Sequence, residues 1–320
     1  MSAVIAADLG GTFVKLSLVI GDQVKEETTF PSNSKGDFTE LMSAVATACQ
    51  QLLSANQLTF SDILGIGFSI PGIVDVVQER VLSINEKHAG AVDFDFRSWA
   101  VALGVNHIVM ENDARAALIG EWQFGAAKGF SEVNMITLGT GIGGAAMINN
   151  QLLYGKHYQA GCLGGHFVVD HQGDRCSCGN VGCVEAVASS WKLPDIIKGH
   201  RLFEQSTLQQ AEQLDFYHLF EAYRTKDVVA IDLVEQCLSA WSAGVITMIH
   251  AYDPEVVVIG GGVMKSQDII LPYIQKQVDQ RAWTPCAKVS VRAAALENLA
   301  GCLGINYLLK EKIKNVEPTV

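Results

Sequence analysis

The sequence has no apolar run that approaches the ~20 residues needed to cross a bilayer. Runs such as Gly244–His250 and Val256–Ile259 are far shorter, so we expect no membrane partner. No basic stretch precedes an apolar core near Met1, which predicts a cytoplasmic location rather than secretion. Long polar tracts and proline-rich linkers are also lacking, and this excludes an intrinsically disordered protein.

Basic residues are scarce relative to acidic ones. The chain has 23 Lys and Arg against 34 Asp and Glu, and its formal net charge is −11. Nucleic-acid binding requires clustered Lys and Arg to neutralise phosphates, so we expect no nucleic-acid partner. With 320 residues, 49% of them hydrophobic, the chain is long enough for two domains at about 150 residues each.

The most informative feature is an internal repeat. One unit occurs twice: a strand, a glycine turn with a threonine, a second strand, a tight turn and a third strand. The first copy covers Val4–Phe30 and the second Val133–Tyr154, and Gly10 and Gly139 are equivalent positions. Two copies predict a duplicated α/β domain with a cleft between the halves, and two unrelated β-hairpins are the alternative.

The domain boundary is predicted at a strand-to-helix junction. Strand His107–Met110 runs into Glu111, Asn112 and Asp113, and helical residues Ala114–Phe124 follow. Such junctions collect ligands in α/β folds. We predict an N-terminal α/β domain over residues 1–113, onto which a helix at about residues 298–320 packs. Residues 114–297 are predicted to form a C-terminal α/β domain that carries a metal-binding loop.

The glycine turns predict phosphate binding. Gly139, Gly141 and Gly144 match the spacing of a dinucleotide-binding fingerprint, but a strand follows them and no acid appears before Asp170, which disfavours a dehydrogenase. The chain has no P-loop. Turns with free backbone N–H groups bind anions, and two of them can hold the β- and γ-phosphates of ATP. Simple chain reversal is the alternative for either turn.

A cluster of thiols predicts a metal centre. Cys176, Cys178 and Cys183 are closely spaced, and His166 lies ten residues upstream of the first. Three thiols and one imidazole form a closed tetrahedral shell for Zn²⁺, which leaves no position for a catalytic water and indicates a structural role. His171 is the rival nitrogen ligand, and buried free thiols are the alternative for the whole cluster.

Taken together, these motifs resemble the ROK family of bacterial sugar kinases and related repressors. The resemblance covers nearly the whole chain and implies duplicated actin-like, hexokinase-like ATPase domains of the ribonuclease H-like α/β class. It is carried by Asp8-Leu9-Gly10-Gly11-Thr12 with Lys15, Glu111-Asn112-Asp113-Ala114, Leu138–Gly143, Gly165-His166, and Cys176–Glu185.

The resemblance implies an ATP-dependent sugar kinase in which Asp113 is the general base toward a sugar hydroxyl, usually that on C6. The cofactors are then ATP, Mg²⁺ oriented by Asp8 through water, and structural Zn²⁺. Sugar contacts are implied for Gly72, Asn85, Asn112, Asp113, His166 and Glu185. Nucleotide contacts are implied for Asp8, Gly10, Gly11, Thr12, Lys15, Gly139, Thr140, Gly141, Gly261 and Gly262. The alternative for Asp113 alone is a helix N-cap, which is compatible with catalysis.

Two residues depart from the family pattern. Leu163 stands where family kinases carry a glutamate, three residues before the zinc-binding histidine, and Arg115 replaces a small or amide residue. A leucine cannot accept hydrogen bonds from hydroxyls near the anomeric carbon. We therefore expect a sugar other than plain glucose in the usual pose, and a shift of the loop by one residue is the alternative.

Two other functions are alternatives to the kinase. A ROK-type sugar-sensing regulator usually has an additional N-terminal helix-turn-helix domain, and Asp8 comes too early in this sequence for one. A sugar-binding pseudo-kinase is disfavoured because Asp8, Asp113 and both glycine turns are retained. The expected partner is a small sugar, and a homodimer is one candidate assembly that no residue in the sequence determines.

Overall fold

The computed structural model describes residues 2–84 and 87–316. Its strands are β1 (Ala3–Leu9), β2 (Phe13–Ile20), β3 (Gln23–Pro31), β4 (Ile63–Ile70), β5 (Ile73–Asp75), β6 (Arg80–Ser83), β7 (Ile108–Asn112), β8 (Val133–Leu138), β9 (Ile142–Ile148), β10 (Gln151–Leu152), β11 (Val256–Gly260) and β12 (Ser290–Ala293). Its α-helices are α1 (Phe38–Ala55), α2 (Phe96–Ala102), α3 (Asp113–Phe124), α4 (Val184–Ala188), α5 (Leu193–Gly199), α6 (Phe216–Arg224), α7 (Val228–Tyr252), α8 (Gln267–Arg281) and α9 (Ala300–Val316).

The first compact unit is built from the described parts of residues 1–128, 154–160 and 298–320. Its five-stranded sheet has the order β3-β2-β1-β4-β7, with β2 antiparallel to β1, and β4 parallel to both β1 and β7. Helix α9 packs against α3, β4 and β1. This unit therefore includes helix α3, which lies beyond the predicted boundary at residue 113.

The second compact unit comprises residues 129–153 and 161–297. Its five-stranded sheet has the order β10-β9-β8-β11-β12, and helix α7 packs beside it with Trp241 fully buried. Helix α7 is the one described helix long and apolar enough by composition to span a bilayer, but 61% of its apolar stretch is buried inside the protein. Buried core helices of globular proteins can have the same length and composition.

The two sheets confirm the duplicated α/β fold. In each sheet, three strands form an antiparallel meander and two further strands extend it in parallel. Each glycine turn connects the first two strands of its meander, at residues 10–12 between β1 and β2 and at residues 139–141 between β8 and β9. The repeat in the sequence is thus a repeat in topology.

Helices α4 and α5 are separate elements, because Ser189 after the end of α4 is extended. Strand β12 was not expected, since Ser290–Ala293 is short and only partly buried, and its pairing with β11 is its main reason to be extended.

Candidate active site and metal centre

The junction between β7 and α3 positions Asp113. Asn112 is the N-cap of the helix, since its Oδ1 accepts the N–H groups of Ala114 at 3.1 Å and Arg115 at 3.2 Å. The Asn112 amide nitrogen donates to the Gly72 carbonyl and to Asp113 Oδ1, each at 3.0 Å. Asp113 is therefore the first residue of the helix and not its cap, which corrects the N-cap alternative and leaves its carboxylate available for chemistry.

Asp113 has the electrostatics of a base that works near neutral pH. Its side chain reaches solvent, yet the protein atoms packed around the carboxylate and the nearby charge of Asp8 raise its pKa to about 6. Hydrogen bonds from the Ala114 N–H and the Asn112 amide oppose this rise. Burial also raises the pKa of Asp8, whose Oδ1 accepts a hydrogen bond of 3.1 Å from Ser69.

Glu111, two residues before Asp113, belongs to a buried hydrogen-bond network. Its Oε1 accepts the Asn112 N–H at 2.8 Å and its Oε2 accepts the Tyr154 hydroxyl at 2.7 Å. Burial raises the pKa of Glu111 to about 7, although the Arg115 guanidinium, 3.7 Å away, lowers it. The network holds the backbone of Asn112 in place, and through it the base.

The fully buried Arg115 anchors the segment of residues 154–160. Its Nη2 donates to the carbonyls of Tyr158 at 3.0 Å and Ala160 at 2.6 Å, and its guanidinium stacks over the Tyr154 ring at 4.9 Å. A small or amide residue at position 115 lacks this reach. Glu111 lies at the end of β7 and Arg115 in the first turn of α3, so no helical spacing marks this network in the sequence.

The carbonyl groups of the first glycine turn, residues 10–12, accept hydrogen bonds from other parts of the protein. Each of the three accepts a hydrogen bond from a side chain or main chain outside the turn. The donors are His88 Nε2 to Gly10 O (3.1 Å), Ser34 Oγ to Gly11 O (2.7 Å) and the Ser32 N–H to Thr12 O (3.0 Å). Because its acceptors are occupied, the turn is suited to offering N–H groups to an anion.

The second glycine turn, in the second unit, also has all three carbonyls bound, but one donor is the Gly139 N–H of the turn itself, which leaves the N–H groups of Thr140 and Gly141 for an anion. Its three carbonyls accept main-chain N–H groups, from Ser190 to Gly139 O (3.2 Å), from Trp191 to Thr140 O (3.1 Å) and from Gly139 to Gly141 O (3.0 Å). Gly261 at the end of β11 has a φ of +97°, and a Cβ there would collide with the main chain of Leu138, just before the turn. Gly261 and the second turn are therefore neighbours.

Glu185 ties the second turn to the cysteine loop. Its Oε2 accepts the Ile142 N–H at 2.8 Å, and its Oε1 accepts the Ser177 hydroxyl at 3.2 Å and the Trp191 indole N–H at 3.4 Å. The residue is buried, with 7% of its surface exposed. Both carboxylate oxygens thus accept hydrogen bonds from the protein. The role of Glu185 toward sugar hydroxyls stays a prediction.

The predicted metal ligands come together in the second unit. One ligand atom from each of His166, Cys176, Cys178 and Cys183 lies within 4.8 Å of all the others. Nδ1 of His166 is 3.5 Å from the Cys176 sulfur, so this nitrogen faces the cluster. His171 is exposed and outside the set. Burial and the neighbouring sulfurs raise the pKa of Cys183 to about 12. A divalent cation would stabilise the thiolates against both effects, so the donor set fits Zn²⁺.

Lys15 and Asn85 are two implied contacts outside the turns and the metal cluster. Lys15, implied to touch nucleotide, donates to the Asn298 carbonyl at 2.6 Å and lies 3.8 Å from Glu27, so its ammonium is paired within the first unit. Asn85, implied to touch sugar, lies outside the described residues. Ser34, His88, Ser177 and Trp191, which brace the turns and Glu185, were not identified from the sequence.

A family model for the ROK family matches residues 4–312 of this chain. The chain belongs to the ROK family. The glucokinase of Thermotoga maritima is 32% identical over 330 residues, covering 97% of this chain and 98% of that protein. The xylose repressor of Bacillus spizizenii is 26% identical over 255 residues, covering 79% of this chain and 63% of that protein.

Among solved structures, the fold is similar to a ROK family glucokinase from Streptomyces griseus in complex with glucose and AMPPNP. The TM-score is 0.80 at 27% sequence identity, and the match covers 97% of this chain and 100% of that one. The similarity extends over both units, so it confirms the actin-like, hexokinase-like fold that the motifs imply.

Proposed function

We propose that this protein is an ATP-dependent kinase that transfers the γ-phosphate of ATP to a hydroxyl, the one on C6, of a hexose or hexose derivative. The observation that carries the proposal is the Asp113 carboxylate, oriented by Asn112 and with a pKa near 6. The matches to one glucokinase sequence and one glucokinase structure cover nearly the whole of both chains and support the reaction class.

In the proposed reaction, Asp113 accepts the proton of the sugar hydroxyl as that oxygen bonds to the γ-phosphorus. The bond between the γ-phosphorus and the β,γ-bridging oxygen breaks, and ADP leaves with the bonding electrons. The N–H groups of the two glycine turns bind phosphate oxygens, and the turns are held in shape by the carbonyl hydrogen bonds described above. A Mg²⁺ would neutralise phosphate charge in this reaction, and the Asp8 carboxylate would orient it through water.

The pKa of Asp113 predicts an acidic limb in the pH–rate profile. The base works only when ionised, so kcat/KM should fall as pH decreases through about 6, roughly tenfold per pH unit below it. An aspartate with an ordinary pKa of about 3.9 would give a limb about two units lower. Steady-state rates from pH 4.5 to 8, with circular dichroism at each pH to verify folding, check this; a flat profile down to pH 5 would contradict it.

Leu163 predicts an unusual acceptor preference. The side chain is 39% exposed and offers no hydrogen-bond acceptor where family kinases have a carboxylate. A sugar with a free hydroxyl at that point loses a partner, at a cost of about 1–3 kcal/mol. We expect kcat/KM to be higher for a hexose that lacks or substitutes that hydroxyl, such as a glycoside, than for glucose.

A sugar panel with product identification tests this preference, and Leu163→Glu should shift it toward glucose by about 5- to 150-fold, the equivalent of that energy. Val228→Glu, at another exposed apolar position of the second unit (45% exposed), is the matched control and should leave the preference unchanged. Clear selection of glucose by the unaltered protein would contradict the idea and favour the shifted loop.

A sugar-sensing regulator is the second candidate function, since a xylose repressor is among the relatives. Sugar-dependent release of ADP from ATP separates the two functions: a regulator or a pseudo-kinase binds sugar without turnover. Structural Zn²⁺, a cytoplasmic location and homodimer formation accompany the kinase proposal as predictions.

A further inference from the structure

A lysine side chain lies over the first glycine turn. A Cβ placed on Gly11 would come within 2.6 Å of Lys87 Cδ and 2.8 Å of Lys87 Nζ, so the end of the lysine side chain lies directly against this glycine. The ammonium thus sits beside the main chain of a turn whose carbonyls are already bound. It comes from a segment more than 70 positions along the chain from Gly11.

This ammonium has no counter-ion in the described part of the chain. Lys87 takes part in no hydrogen bond or ion pair among residues 2–84 and 87–316. Lys15, the lysine that the family motif identifies, is instead paired with Glu27 and with the Asn298 carbonyl. A cation held against an N–H-rich turn without a carboxylate partner is a ready site for an anion.

The next residue fixes the position of Lys87. His88 is 2% exposed and has a left-handed φ of +59°, and its N–H donates to the Ser34 carbonyl at 2.6 Å. Its ring packs edge-on against Phe38 at 5.9 Å, and its Nε2 donates to Gly10 O. Burial lowers the pKa of His88, which favours the neutral ring. The backbone from which Lys87 projects is therefore tied to the turn itself.

We propose that Lys87 is a further substrate-contacting residue, whose ammonium binds the γ-phosphate oxygens of ATP held at the Gly10–Thr12 turn. No bond to Lys87 forms or breaks; its charge offsets the negative charge on the phosphoryl group during transfer, as cationic clamps do in other phosphotransferases. The inference rests on the proposed kinase function.

Lys87→Met is the diagnostic variant, because methionine keeps most of the aliphatic stem over Gly11 and removes only the charge. We expect kcat/KM for ATP to fall by roughly 100-fold, as when one charge-stabilising donor is removed from an active site. Binding of AMPPNP, measured by calorimetry, should weaken more than binding of ADP, which has no γ-phosphate. Lys87→Arg should recover most of the loss, and Lys25→Met, at an exposed position on β3, should match the unaltered protein.

Several outcomes would overturn the proposal. One is kcat/KM within threefold of the unaltered protein for Lys87→Met, and another is equal weakening of AMPPNP and ADP. Equal losses in Lys87→Met and Lys87→Arg with a lowered melting temperature would show that the stem only packs over Gly11. An unaltered protein without sugar-dependent turnover would refute the kinase proposal alone. In that case, AMPPNP binding that Lys87→Met leaves unchanged would separately refute the lysine contact.

Discussion

Asp113→Asn is expected to lower kcat by about 10²–10⁴-fold, the usual contribution of a positioned general base. An amide has the size of the carboxylate but cannot accept the proton of the sugar hydroxyl. The fold should survive, since Asn112 remains the N-cap of α3. The melting temperature should stay the same or rise, because the variant removes a negative charge that burial and the nearby charge of Asp8 disfavour.

The measurement is sugar-dependent ADP release, with ATP and sugar both saturating. Asp195→Asn is the matched control, because Asp195 is also an acidic residue in the first turn of a helix and lies in the second unit. It removes the same favourable interaction with a helix dipole and should leave kcat unchanged. Full turnover by Asp113→Asn would show that another group takes the proton.

Cys178→Ser is expected to remove the metal and to destabilise the protein. The unaltered protein should contain close to one Zn²⁺ per chain, and the variant close to none, since three ligands do not close a tetrahedral shell. Loss of a structural metal typically costs about 4–5 kcal/mol of unfolding free energy or more. At about 2–4 °C per kcal/mol, the melting temperature should drop by about 8–20 °C.

Metal analysis and thermal unfolding check both parts of this expectation. Cys286→Ser is the matched control, because Cys286 is another exposed cysteine of the second unit and lies outside the ligand cluster. Since Ser177 in the same loop donates to Glu185, metal loss should also raise KM for the sugar. Unchanged stability in a metal-free Cys178→Ser protein would refute a structural role for the ion.

The candidate site was predictable wherever its residues are neighbours in the sequence. Glycine with threonine after a buried strand identifies each turn, and the spacing of Cys176, Cys178 and Cys183 identifies the ligand loop. These signals are local because a turn or a chelating loop needs particular residues within a few positions. The choice of His166 over His171 was not local, and the structure decided it by placing one ring at the sulfurs and the other in solvent.

Residues that act across long stretches of chain were not predictable. Tyr154 donates to Glu111, 43 positions away, and His88 donates to Gly10, 78 positions away. Neither pair follows a period or a motif, since each depends on how a distant loop packs against the end of a strand. For the same reason, Arg115 stood out only as an odd substitution until its two carbonyl partners were located.

By itself, the sequence determined the duplicated α/β architecture, the two glycine turns, the thiol-rich loop and the acid at the end of β7, because hydrophobic periodicity and short motifs record what each segment does locally. Only the tertiary structure decided that Asn112 rather than Asp113 caps the helix, that Lys15 is paired while Lys87 has no described counter-ion, and that Glu185 braces a turn. Those outcomes depend on burial, on competing hydrogen-bond partners and on nearby charge, which exist only once distant segments have packed together.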